Sequence, residues 1–188
     1  MKKLLTLIAV AAMCATASAQ KAQSLEVSFN YQRQDTHGSN QFAVWIENDK
    51  GEVVRTLFVT AFTTKGRARG NEELVRGYIK RPYCVPTWVK DVNANSLSDS
   101  DLDAYTGATP KESGIQSFTW DLKDSKGAAV ANGNYKVFVE ATLFDSSIVT
   151  YSGSFSTANT GAVALQRSLT TNEGNREAMI SDVKVEVK

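Results

Sequence analysis

Leu25-Glu26-Val27-Ser28-Phe29-Asn30-Tyr31 alternates apolar and polar side chains without a break. Successive side chains of a strand point to opposite faces, so this period predicts a strand buried on one face only. The run from Phe42 to Glu47 repeats the pattern, with Phe42, Val44 and Ile46 on its buried face. Asn48-Asp49-Lys50-Gly51 is a turn cluster, and Val53 to Phe62 reads as the returning strand of a hairpin. The polar segment Asp35 to Asn40 joins the first two strands.

Beyond Gly114 the alternation resumes in Phe118 to Leu122, Tyr135 to Ala141, Val149 to Phe155, Ala162 to Leu169 and Val183 to Val187. Turn signals lie between them, at Asp124-Ser125-Lys126-Gly127 and between Val130 and Asn134. About eight short strands separated by turns predict a mainly β protein, an antiparallel β-sandwich. The sheets are built from residues 25–62 and 115–187. Strands do not alternate with helices, which argues against a doubly wound α/β fold.

Residues 65 to 114 lose the alternation and read as an insertion. Lys65, Arg67, Arg69, Arg76, Lys80 and Arg81 make its first part basic, with Gly66, Gly70 and Gly77 breaking any long element. A charge run of this kind is ordinarily a solvated face. Pro86 to Val92 predicts a short helix. Ser98 caps a second helix with Asp101 in a short-chain variant of the capping box; it carries Leu102 and Tyr105 and stops at Gly107.

The N-terminus reads as an export signal over residues 1–19. Lys2 and Lys3 are its positive region, Leu4 to Met13 its apolar core, and Ala17-Ser18-Ala19 its cleavage box. The expected mature chain is a single domain, residues 20–188, in the periplasm, with no stable membrane insertion after cleavage. Cleavage removes two lysines and leaves a nearly neutral chain, with no general pull toward nucleic acid or anionic lipid. It also removes Cys14, so Cys84 is left without a partner for a disulfide or a zinc site.

Asp103-Ala104-Tyr105-Thr106-Gly107-Ala108-Thr109-Pro110-Lys111 is the stretch with chemical character. Read blandly, it is a helix stop followed by a loop. It also resembles the acceptor motif on which bacterial flavin transferases place FMN. The resemblance rests on Asp103, Thr106, Gly107 and Ala108, and makes Thr109 the acceptor through a phosphoester. Thr106 stands where Ser is commoner. The FMN-bearing subunits of sodium-pumping NADH:quinone oxidoreductases share this motif on a different fold.

Two wider resemblances accompany it. Trp120, Asp121, Asp124, Gly127, Gly133 and Tyr135 resemble the immunoglobulin-like module of flagellar hook-capping proteins, which implies an immunoglobulin-like sandwich with the insertion at about 65–114. Val27 to Tyr31, Gln41 to Glu47, Arg81-Pro82 with Pro86 and Trp88, and the Thr-Gly-Ala-Thr-Pro run resemble a family of exported bacterial proteins of uncharacterised function. Its members look like partners of flavin transferases and membrane-bound electron-transfer systems.

A phosphodiester on Thr109 needs cations, because a helix C-terminus is electrostatically unfavourable for an anion. Lys111 and Arg81 are the candidates, with Lys80 beside them; Tyr83, Trp88 and Tyr105 are candidates for stacking on a flavin ring. Trp45 and Trp120 read as core. His37, the only histidine, reads as a surface residue. There is no Gly-x-Ser-x-Gly elbow or HExxH pair, and Asp99, Asp101 and Asp103 lack the Gly and Glu of a calcium loop. Two functions follow. One is a periplasmic electron-transfer protein with covalent FMN, loaded by a flavin transferase and fed by a membrane-bound donor, a redox carrier more than an autonomous enzyme. The other is a cofactor-free binding or accessory module for a protein or glycan.

Overall fold

A computed structural model describes residues 22–34, 39–68, 70–143, 147–171 and 179–188. The export signal and its cleavage site, Arg69 and His37 lie outside the described residues.

The first three strands are β1 (Leu25–Tyr31), β2 (Asn40–Asn48) and β3 (Val53–Thr60). Four short helices follow: α1 (Ala61–Lys65), α2 (Gly77–Lys80), α3 (Pro86–Asp91) and α4 (Asp99–Tyr105). The remaining strands are β4 (Thr106–Gly107), β5 (Gly114–Trp120), β6 (Asn134–Leu143), β7 (Ser147–Ser156), β8 (Gly161–Ala162), β9 (Gln166–Thr171) and β10 (Ile180–Val187). They form a sheet of order β5-β1-β10-β8 and a larger one of order β4-β3-β2-β6-β7-β9. Every described strand pair is antiparallel except β3 with β4. The expected β-sandwich is therefore observed.

Between the sheets lies an apolar core that includes Leu25, Val27, Phe29 and Tyr31 from β1 and Phe42, Val44 and Ile46 from β2. Phe42 stacks on Phe58 at 4.9 Å and meets Phe29 edge-on at 5.4 Å. Trp120, Tyr135 and Phe155 close one end of this core.

β2 departs from the expected half-buried strand, because both of its faces are buried. Ala43 and Trp45 point away from the sandwich and join Val59, Tyr78, Val85, Trp88, Ala94 and Leu102 in a second cluster. The insertion is thus folded down over the outer face of the larger sheet, making a third layer. Trp45 is core as expected, but core of this outer layer, stacked on Phe138 at 4.9 Å.

Two boundaries differ from the sequence reading. β3 ends at Thr60 and Ala61–Lys65 turns helical, so the excursion begins inside the stretch read as strand. Thr60 and Thr63 both send their hydroxyls to Gln41 Oε1, which anchors the turn to the start of β2. The run from Ala162 to Leu169 is broken because the chain changes sheets there: β8 pairs with β10 and β9 with β7. The crossing lies directly on Gly153, where a Cβ would stand 2.7 Å from the Ala164 carbonyl.

Candidate functional site

The capping box at Ser98 is present: its side chain accepts from the Asp101 N–H while the Asp101 carboxylate accepts from the Ser98 N–H. It sets the start of α4, whose last turn leads straight into the Asp103–Thr109 motif. The middle of that motif is a strand, where a loop was expected. Thr106 and Gly107 pair in parallel with Val59 and Thr60 at the edge of the larger sheet.

The motif residues have separate fates. Asp103 is exposed and pairs with Lys65 at 2.9 Å. The Thr106 hydroxyl donates to the Leu102 carbonyl at 2.7 Å and shares a hydrogen bond with the Thr64 hydroxyl at 2.7 Å. Gly107 lies against a phenyl ring, and a Cβ there would stand 2.0 Å from Phe58 Cε2. Past it the chain leaves the sheet: Ala108 is exposed and Thr109 half-buried. The Thr109 hydroxyl makes no hydrogen bond among the described residues.

The return of this loop is held from β1. Arg33, two residues past the end of β1, donates from Nη1 to the Pro110 carbonyl at 3.2 Å. Its backbone N–H goes to Ser113 Oγ at 2.9 Å. The antiparallel register, with Tyr31 opposite Gly114, puts these residues side by side. Sequence reasoning passed over Arg33, since nothing local connects it to a motif 77 residues away. Beside it the Tyr31 hydroxyl is buried, within reach of the Arg33 guanidinium but without a well-formed hydrogen bond among the described residues. Burial raises the Tyr31 pKa, and the nearby Arg33 charge opposes that rise.

The other candidates are placed as follows. The Arg81 guanidinium lies over the Phe62 ring, 5.0 Å from its centroid. Lys80 pairs with Glu72 at 3.1 Å. Lys111 is exposed and Tyr83 half-buried, and Tyr105 packs on the outer cluster. Trp88 is a correction. Its side chain is fully buried and its indole N–H donates to Thr56 Oγ1 at 3.0 Å, so no ring face is left for a flavin. The physical reason is that α3 lies on the sheet with Trp88 facing inward.

α3 is fastened by a group that sequence reasoning missed. Glu140 is fully buried on β6, on its insertion-facing side. It accepts from the Thr87 N–H at 3.2 Å, the Thr87 hydroxyl at 2.8 Å and the Trp88 N–H at 3.1 Å. Burial pushes its pKa up to about 7, against the pull of those donors. Glu47, which accepts from the Trp45 indole at 2.8 Å, is also raised, first by burial and further by Asp91. The Cys84 thiol is buried and pushed up to about 11 by desolvation, so its thiolate is scarce at neutral pH.

A shallow groove of ≈ 460 Å³ runs beside the motif, lined in part by Lys65, Leu74, Arg76, Leu102 and Asp103. Among the described residues no cluster of side chains could hold a metal ion, and no helix is long and apolar enough to cross a membrane. No curated protein and no solved structure matches the chain. A family model described as "Predicted periplasmic protein (DUF2271)" matches residues 22–162, which run from β1 through the insertion and the acceptor-like loop to β8, and the chain belongs to that family.

Proposed function

We propose that this periplasmic-family protein carries FMN covalently on Thr109 and serves in electron transfer. The observation that carries the reading is the contrast between two threonines of one motif. The Thr106 hydroxyl is committed to Leu102 and Thr64, whereas the Thr109 hydroxyl has no hydrogen bond among the described residues and sits on a loop that has left the sheet. A nucleophile that must enter another enzyme's active site has to be free and on an accessible loop.

The residues present suit such a group. Arg33 brings a cation to the loop, with the buried Tyr31 hydroxyl within reach of its guanidinium. Attachment follows ordinary phosphoryl substitution. Thr109 Oγ attacks the FMN phosphorus of FAD; the new O–P bond forms as the bond to AMP breaks. AMP leaves with the bridging oxygen, and the threonine proton passes to a base on the flavin transferase. When bound, FMN supplies reversible electron transfer, received from a membrane-bound donor. The chain's own residues hold the ester and shape the surface around it. The groove beside Asp103 is partly apolar through the exposed Leu74 and balanced in charge, Lys65 being paired with Asp103 and Arg76 with Asp99.

Intact mass after coexpression with a flavin transferase tests this. The wild type should gain the mass of FMN less water and keep it after denaturation. Thr109→Ala should gain nothing, and Thr109→Ser should retain part of the modification. An unmodified wild type beside a modified positive-control protein sinks the reading and leaves the cofactor-free binding module. An adduct on Thr109→Ala moves the attachment elsewhere.

A further inference from the structure

We infer that Arg33 is the cation that pairs with the phosphodiester on Thr109, presented to the acceptor loop from the opposite sheet. This rests on the flavin reading above. An ester at Thr109 is anionic, and its surroundings within the motif are unfavourable. The loop follows the C-terminal end of α4, and the Asp103 carboxylate lies on the same segment. A positive charge held against the loop from another part of the chain offsets this.

Five cationic residues come into question, and the structure separates them. Lys65 is paired with Asp103 and Lys80 with Glu72. Arg81 lies over Phe62, and Lys111 is an exposed point charge without an ion pair among the described residues. Arg33 alone among them makes a hydrogen bond to the loop itself, to the residue immediately after Thr109. It forms no ion pair among the described residues, and only one of its donors is spent on Pro110. A guanidinium has five N–H donors in a planar fork, so several remain for phosphate oxygens. The buried Tyr31 hydroxyl lies within reach of the Arg33 guanidinium, which marks where that side chain is held, beside the loop.

Arg33 also holds the loop mechanically, and the test must separate that role from its charge. Arg33→Lys keeps the charge. Arg33→Gln keeps a hydrogen-bond donor able to reach a carbonyl but removes the charge. Ser113→Ala removes the other tether from Arg33 to the same loop and leaves the charge alone. Each variant is coexpressed with the flavin transferase, its modified fraction read by intact mass, and its folding checked by thermal midpoint. The expected result is a modified fraction at least several-fold lower in Arg33→Gln, mostly restored in Arg33→Lys, and close to wild type in Ser113→Ala. On the purified transferase reaction, raising salt should slow modification of the wild type more than of Arg33→Gln, since screening acts on the charge. Arg33→Gln modified like wild type overturns the inference, as does Ser113→Ala falling as far as Arg33→Gln. Those outcomes leave the flavin reading intact, because the wild type is still modified. A wild type that stays unmodified beside a modified control protein overturns both.

Discussion

Glu140 Oε2 accepts the backbone N–H of Trp88 at 3.1 Å, tying an interior strand of the larger sheet to the first turn of α3. Thr87 gives the same carboxylate two more hydrogen bonds, and Val85, one residue before the helix, donates its N–H to Thr142 Oγ1. Val85 there has a φ of 45°, an unusual conformation for a β-branched residue that these bonds hold in place. The insertion is therefore docked by polar contacts as well as by its apolar layer. The same insertion ends in the loop that carries Thr109, the acceptor in the proposed function.

Stability should fall as pH rises across the neutral range. Burial raises Glu140 from its ordinary 4.5 to about 7, so the folded chain binds that proton more tightly than the unfolded chain. The associated stability is fully present below about 4.5 and is lost as pH climbs toward 7; a shift of this size is worth about 3 kcal/mol at most. Glu47 is raised too and adds in the same direction. Urea midpoints measured from pH 5 to 8 should decline for the wild type and flatten in Glu140→Gln. Equal slopes in the two proteins would refute the assignment.

Gly107→Ala should destabilise the fold independently of any flavin. The added Cβ would stand 2.0 Å from Phe58 Cε2, 2.8 Å from Cδ2 and 2.9 Å from Cζ, and that ring stacks on Phe42 in the inter-sheet core. Overpacking of this kind costs about 1–3 kcal/mol. Thermal melts read the loss, and Phe58→Leu in the same chain should recover part of it by making room. A neutral Gly107→Ala would mean the ring is not held where it lies.

Thr106→Ala should cost about 1 kcal/mol, because it strips the Leu102 carbonyl and the Thr64 hydroxyl of one partner each. Thr106→Ser keeps the hydroxyl and should sit within a few tenths of wild type. For attachment chemistry, Thr106→Ser is accordingly the cleaner control beside Thr109→Ala. Denaturant midpoints of the two variants, measured without flavin, check the difference; identical midpoints would count against the hydrogen bonds.

Trp88→Phe should lower stability and leave a bound flavin's spectrum unchanged. The substitution deletes the indole N–H that Thr56 Oγ1 accepts and leaves a gap in the outer cluster, a loss of about 2–3 kcal/mol. A ring stacked on the flavin would instead alter its visible absorption and fluorescence quenching. Spectra of the modified variant against modified wild type decide between the two.

Local pattern alone determined the sandwich. Alternation in β1, in β6 and in β7 is written in neighbouring residues, and so are the Ser98 capping box and the Asp124–Gly127 turn, whose Asp124 carboxylate accepts from the Lys126 and Ala128 N–H groups. Such features depend on side-chain direction and short-range hydrogen bonds, which spacing specifies. What only the tertiary structure decided is which of the two faces of a strand meets water. Glu140 occupies a polar slot in an alternating strand and by pattern belongs in solvent, yet the folded insertion buries it, together with Trp45 on β2. Trp88 became core for the same reason. Arg33 reached the Pro110 carbonyl through the β1–β5 register, a pairing between distant segments that no local window of sequence encodes.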